Sequence, residues 1–415
     1  MMKRRTAVAL LSAVAFELGT GMATRSRAAA AAFPATGSAA LAMQLAGAVE
    51  RGDAPGVVAL LVNPDGVLFE GYAGKLDAAA NLPMRPDAIF RIASMTKPVT
   101  STACMMLVEE GRLGLDDPVS EYLTGFENLR VIAAFNASDG SYETRPAKRA
   151  MTIRHLLTHT SGIGYGFSNP VVARLQKRTG KREWELPLLN DPGDKWTYGA
   201  GTVVVGRIVE KLTGKTLEAC FQARIFQPLG MADTAYTVAP DKQSRVPTRH
   251  DRKNGLLTEQ RRSPIASRPP FEGDGGLYST AQDYGLFMRM LLNGGELGTV
   301  RLLSEKSVRL MGENQIGALF VEQQPAADPA LTQPFPLGAG RDRFGLGFQI
   351  AADDADPQYR SPGSMSWAGL FNTEFWIDRR RQVAAVMMMQ LLPFYDDGAI
   401  RTLRDFERIA YQHLR

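Results

Sequence analysis

The stretch that decides the fold is FRIASMTKPVTS, Phe90–Ser101. Ser94 and Lys97 stand three positions apart, just where an apolar run through Cys104, Met105, Met106 and Leu107 begins. Residues i and i+3 share one face of a helix, so the spacing sets the lysine amine beside the serine hydroxyl. A run apolar on most sides predicts a buried helix. Pro98 falls near its first turn, where a missing N–H costs little. At a helix start, free N–H groups and the helix dipole favour developing negative charge. A desolvated lysine there can take a proton or stabilise an anion. The spacing alone reads equally as packing and solvation at a helix start or as an activated nucleophile.

Outward from this stretch, Ser38–Gly52 has helical spacing and ends on glycine. Gly56–Gly74 holds two β-rich runs around Pro64-Asp65-Gly66, which predicts a hairpin. From about Leu115 to Phe271 the chain reads as mainly helical, with Asn136–Arg149 and Ala239–Pro269 as long polar connectors. Thr280–Gly295 is an amphipathic helix with Thr280 as cap and Asp283 in the first turn. RFGLGFQIA (Arg343–Ala351) reads as one strand. Asn372–Gln390 reads as a second hairpin turning near Asp378–Arg381, and Asp397–Leu414 as a closing helix. Hairpins near both chain ends predict an α/β (α+β) domain: one antiparallel sheet flanked by helices, from residues 38–113 and 280–415. Residues 114–279 form an inserted, mainly helical lobe.

The net charge of +5 is concentrated at the start. Within residues 1–32, five basic residues against Glu17 leave +4, and the rest of the chain carries about +1. This balance gives no reason to expect a nucleic-acid or anionic-membrane surface. MMKRR, the short apolar run Thr6–Phe16 and RAAAAAF (Arg27–Phe33) resemble an export signal, so periplasmic or secreted localisation is expected, with the cytoplasm as the alternative. The apolar run is too short to span a bilayer, and no later stretch is long enough. Cys104 and Cys220 predict no disulfide and no thiol nucleophile. His155 and His159 have a zinc-compatible i, i+4 spacing. Leu156 stands where the metalloprotease motif needs Glu, however, and no third ligand is evident. Gly363-Ser364-Met365 lacks the second glycine of a nucleophile elbow.

Five segments, in order, carry a family resemblance: FRIASMTKPVTS, IRHLLTHTSGIGYG, DPGDKWTYGAG, FEGDGGLYSTAQDYGLFMRMLLNGG and WAGLFNTEFWID. Together they resemble the serine β-lactamase and penicillin-binding superfamily, most nearly its class C β-lactamases and family VIII carboxylesterases. The resemblance implies a β-lactamase-like fold and a nucleophile at Ser94 assisted by Lys97. It makes Tyr198 the tyrosine of the second motif, with Ala200 where the lactamases carry Asn. A phenol is a poor base near neutral pH unless a cation stands beside it, and Lys97 would be that cation.

By the same resemblance, Trp367-Ala368-Gly369 occupies the place of the lactamase Lys-Thr-Gly and the esterase Trp-Gly-Gly. A neutral Trp367 cannot hold a lactam carboxylate, so a charge-assisted contact of about 1.5–3 kcal/mol is absent. The backbone N–H groups of Ser94 and Leu370 would form the oxyanion hole, and Gly369 would let the strand approach the substrate. The expected function is hydrolysis of a small-molecule carboxylic ester, with no metal or organic cofactor implied. The alternatives are a β-lactamase or D-alanyl-D-alanine peptidase, a transesterase, and a catalytically silent binding protein.

Overall fold

A computed structural model describes residues 33–261, 265 and 269–414; the expected export signal, apart from its last residue Phe33, lies outside the described residues. The principal strands are β1 (Gly56–Val62), β2 (Val67–Asp77), β3 (Leu82–Pro83), β4 (Arg343–Phe344), β5 (Gln349–Ile350), β6 (Met365–Gly369), β7 (Thr373–Asp378) and β8 (Val383–Met388). They form one antiparallel sheet in the order β4-β5-β6-β7-β8-β1-β2-β3. Both chain ends therefore meet in one sheet, joined where β1 pairs with β8 from Val58↔Met388 to Val62↔Ala384.

Side chains alternate across a strand, and the central strands bury both sets. Val57, Ala59 and Leu61 of β1 join Ala385 and Met387 of β8 under α1 (Ala35–Glu50) and α5 (Asp397–His413), with Leu41, Leu45, Leu403 and Phe406 above them. Val58, Leu60 and Val62 face the other way, with Val386 and Met388, against α4 (Ala281–Leu292) and its Tyr284, Phe287 and Met288. Each Val, Leu, Met or Phe side chain so removed from water contributes about 1.5–3 kcal/mol.

Helix α2 (Thr96–Glu109) is the centre of this second layer, and every residue from Thr96 to Leu107 is buried. Two of its threonines are satisfied: Thr100 Oγ1 donates to Gly273 O at 2.5 Å and Thr102 Oγ1 to Pro98 O at 2.9 Å. The Tyr284 hydroxyl of α4 donates to Met95 O at 3.1 Å, pinning the helix start to the sheet layer. On its far side α2 packs against α3 (Gly201–Thr213), so one core runs from the sheet into the segment between the two halves.

Two expectations need correction. RFGLGFQIA is two strands, β4 and β5, because Gly345-Leu346-Gly347 turns the chain between them. Gly347 has φ +95°, and a Cβ there would collide with Ser101 of α2. The Asn136–Arg149 connector supplies one strand, Tyr142–Pro146, of a hairpin whose partner Arg130–Phe135 precedes it, and Ala239–Pro269 contains a whole second hairpin, His250–Lys253 with Leu256–Glu259. The second turns on Asn254-Gly255, both at positive φ, an Asn-Gly signal visible in the sequence. Its first strand then runs parallel to Leu391–Leu392, tying the inserted segment to the chain's end.

Candidate active site

Ser94 lies on a single 3₁₀ turn, Ala93–Met95, that runs directly into α2. Ala93 has φ +43°, a left-handed conformation uncommon for a residue with a Cβ, and the chain bends there from the short strand Phe90–Arg91. The turn is braced from both sides: Ile92 N donates to Leu277 O at 3.0 Å, and Gly369 of β6 presses against the Ile92 carbonyl, where a Cβ would collide. The close approach at Gly369 is thus to the protein's own backbone. Gly369 is not among the residues lining the cavity beside Ser94.

Lys97 is one turn on and almost wholly buried. Its Nζ donates to Ser94 Oγ at 2.9 Å and to the main-chain oxygen of Asp274 at 2.9 Å. The Tyr198 hydroxyl reaches the same Ser94 oxygen at 2.8 Å from 104 residues away. The Lys97 ammonium also lies 4.9 Å from the Tyr198 ring centroid and 5.2 Å from that of Tyr165. The three residues singled out from separate motifs therefore share one oxygen atom.

Tyr198 is held by its loop and by rings. Thr197 N donates to His159 O at 2.8 Å, and Gly199 packs on Ile163 so closely that a Cβ would meet its carbonyl. His159, Trp367, Tyr165 and Phe335 surround the phenol, with centroids 4.8, 5.0, 5.1 and 5.5 Å away. Each well-placed aromatic pair adds about 0.5–1.5 kcal/mol beyond burial, so the cage fixes the hydroxyl's direction. Burial and the nearby Lys97 charge hold the His159 imidazole well below its ordinary value, so it packs as a neutral ring.

A cavity of about 180 Å³ opens above Ser94. Tyr165, Phe167, Trp367, Leu370 and Phe394 give it an apolar wall, with Asp274 and Gly275 at one side. Trp367 and Ala368 come from β6 and Leu370 is the first residue beyond it, so this strand edges the cavity as the motif reading expected. Burial, with the Asp274 charge adding, pushes the Tyr165 phenol well above its usual range, and its hydroxyl donates to the Asp274 carboxylate.

Asp274, Tyr165, Phe167 and Phe394 escaped the reading of the sequence. Asp274 had a weak signal, an acid set among glycines in EGDGG, whereas the aromatics had none. The two histidines diverge. His155 Nδ1 accepts from Thr152 N at 3.1 Å in a helix cap, while His159 sits in the aromatic cage. Among the described residues no cluster of three or more His, Cys, Asp or Glu is placed to hold a metal. Both cysteines are free and buried, and burial pushes the Cys104 thiol up to about 12.

A sheet of this topology, with a Ser-x-x-Lys turn entering a buried helix and a tyrosine on the serine oxygen, defines a β-lactamase-like protein. The chain belongs to the beta-lactamase family, whose model matches residues 41–408. Protein Rv1367c of Mycobacterium tuberculosis is 36% identical over 355 residues, covering 81% of this chain and 86% of its own. Acyltransferase calJ of Penicillium decumbens is 28% identical over 81% of this chain and 84% of its own. Lovastatin esterase of Penicillium rubens is 28% identical over 80% and 86%. Among solved structures, unliganded simvastatin synthase LovD from Aspergillus terreus superposes with a TM-score of 0.77 at 26% identity, over 91% of this chain and 98% of that one. Two of these relatives are by name an acyltransferase and an esterase, and this chain is an enzyme-family member of the same fold. No helix among the described residues is long and apolar enough to cross a membrane.

Proposed function

We propose that this protein is a serine esterase of the family VIII carboxylesterase type. It would cleave carboxylic esters through an acyl-enzyme on Ser94. The observation that carries the reading is the meeting of Lys97 Nζ and Tyr198 Oη on Ser94 Oγ, at 2.9 and 2.8 Å, beside an apolar cavity.

In the proposed first step the Tyr198 oxygen acts as the base in its deprotonated form, on which the neighbouring ammonium stabilises negative charge, and takes the Ser94 proton as Oγ attacks the ester carbonyl carbon. The N–H groups of Ser94 and Leu370 receive the carbonyl oxygen as it becomes anionic, a contribution of about 3–4 kcal/mol per donor in comparable sites. Tyr198 then passes the proton to the departing alcohol. Water attacks the acyl carbon in the second step, with Tyr198 again as base, and frees Ser94. An alcohol in place of water gives transfer, a second reading favoured by the acyltransferase among the relatives.

Trp367 supports ester over lactam, because the wall it forms presents no cation for a carboxylate. The test is turnover of a p-nitrophenyl ester series from acetate to octanoate against nitrocefin, with fluorophosphonate labelling of native and Ser94→Ala protein. Ester turnover and labelling, both lost in Ser94→Ala, are expected. Nitrocefin turned over much faster than every ester would make it a lactamase, and failure to label would make it a binding protein.

A further inference from the structure

A second cavity, of about 200 Å³, adjoins the first and shares Trp367, Ala368 and Phe394 with it. It lies between the sheet's edge, the loop around Phe335–Asp342 and α5. Glu374 lines it from β7, directly across the ladder from Ala368. The alternation of β7 sends Glu374 to the same face as Trp376, toward α5, where a strand normally places an apolar residue. Its Oε1 is buried and has no hydrogen-bond partner among the described residues. A buried polar group left so is costly, and Glu374 keeps part of its surface accessible where it lines the cavity.

The other polar groups narrow the ligand. The Arg360 guanidinium also lines the cavity, but Nε and Nη2 each donate to Glu407 at 2.8 Å, and the group stacks on Trp376 at 4.9 Å. Its charge is matched within the protein by the Glu407 carboxylate. Burial, opposed by Arg360 and reinforced by Glu407, raises the Glu374 carboxyl to about 8. Near neutral pH it offers one donor and one acceptor without charge. The Tyr395 hydroxyl accepts from Leu337 N at 2.9 Å, which leaves its own proton to donate. Phe335, Phe394 and Trp367 supply apolar walls.

We propose that this second cavity receives the alcohol portion of the ester, with the Glu374 carboxyl hydrogen-bonding a distal hydroxyl of that alcohol. The inference rests on the esterase reading of the Ser94 site. The reach is short: Gly369 abuts Ile92, two residues before Ser94, and Glu374 is one residue and one strand removed from Gly369. During acylation the bond from acyl carbon to alcohol oxygen breaks, that from Ser94 Oγ forms, and the Ser94 proton leaves with the alcohol. The chamber holds that alcohol before release or, in transfer, on entry.

The experiment compares kcat/KM for benzyl acetate and 4-(hydroxymethyl)benzyl acetate, which differ in one distal hydroxymethyl group. The native enzyme is expected to favour the hydroxylated ester by about tenfold, the yield of one good hydrogen bond. Glu374→Leu should bring the ratio to about one, and Glu374→Gln, which keeps a donor and an acceptor, should retain most of it. A native ratio near one, or a ratio indifferent to Glu374→Leu, overturns the proposal, and the native ratio decides even if the leucine variant does not fold. If the native protein consumes neither ester, the esterase reading has failed on its own. Calorimetric titration with 1,4-benzenedimethanol and benzyl alcohol then judges the cavity: tighter binding of the diol supports it, and equal or absent binding overturns it.

Discussion

Lys97 donates to the main-chain oxygen of Asp274 at 2.9 Å, while the Asp274 carboxylate receives the hydroxyl of Tyr165. The buried ammonium is thus held by two neutral oxygens, Ser94 Oγ and a backbone carbonyl. A carboxylate ion pair would spend its charge; a carbonyl orients it and leaves its field on Ser94 and Tyr198.

Lys97→Met keeps the length and removes the charge. We expect kcat/KM for p-nitrophenyl butyrate to fall by roughly 10²–10⁴, the range for a positioned proton-transfer group. Lys97→Arg should not restore it, because a planar guanidinium cannot occupy a point donor's place between Ser94 and Asp274. The melting temperature of Lys97→Met should hold or rise, since a desolvated cation has been removed. Retention of more than a tenth of the activity would remove Lys97 from the mechanism.

Tyr198→Phe deletes one hydroxyl whose observed partner is Ser94 Oγ. The ring's aromatic contacts persist, so stability should change by only about 1 kcal/mol. Turnover should nevertheless drop by roughly 10²–10⁴, with KM much less affected. Steady-state kinetics paired with thermal unfolding separate the two effects, and a large loss of stability with little loss of kcat would contradict the assigned role.

Gly369→Ala drives a methyl into the Ile92 carbonyl and the Thr373 hydroxyl. Overpacking of this kind costs about 1–3 kcal/mol, and relief by backbone shift would move the Ser94 turn. Lower melting temperature and lower kcat are expected together. An alanine variant as stable and active as the native enzyme would show that the strand does not brace the turn.

Acid should weaken the fold through His159. Its folded-state proton affinity is depressed, by burial first and Lys97 second, whereas in the unfolded chain it titrates near 6.5. Below about pH 6.5 the unfolded chain therefore binds a proton that the folded one refuses, and stability falls as pH drops, by up to about 1.4 kcal/mol per unit for one such group. His155 and His250 shift the same way through burial, while Glu374, raised to about 8, binds a proton in the fold over the same range and acts against them, so the comparison of native with variant carries the test. Denaturant unfolding of native and His159→Asn protein from pH 7.5 to 5 should show the variant's slope reduced by about one proton. Equal slopes would mean that His159 is protonated in the fold.

Much of the fold was legible because its signals are local. The β-rich apolar runs of β1 and β8, the helical spacing of α1, α4 and α5, the Thr280 cap and the all-round apolar α2 each follow from a few adjacent residues. The missed hairpin at His250–Glu259 had its Asn254-Gly255 signal, but polar strands around it do not alternate in hydrophobicity. The break of Arg343–Ala351 into two strands depends on Gly347 meeting Ser101 of α2, a contact made across 246 residues.

Ser94 and Lys97 were readable as a pair by themselves, since one helical turn fixes their separation. Tyr198 was assigned by resemblance, and only packing of the His159–Gly164 loop against Thr197 and Gly199 aims its hydroxyl at Ser94. The left-handed Ala93, the Asp274 carbonyl on Lys97, the aromatic wall from Tyr165 to Phe394 and the Glu374 chamber belong to tertiary structure alone. Local sequence sets the rotation and rise of one element, which decides what lies within a turn or a strand step. Which distant side chains share a cavity is decided by how whole layers dock, a sum over many weak contacts that no short stretch contains.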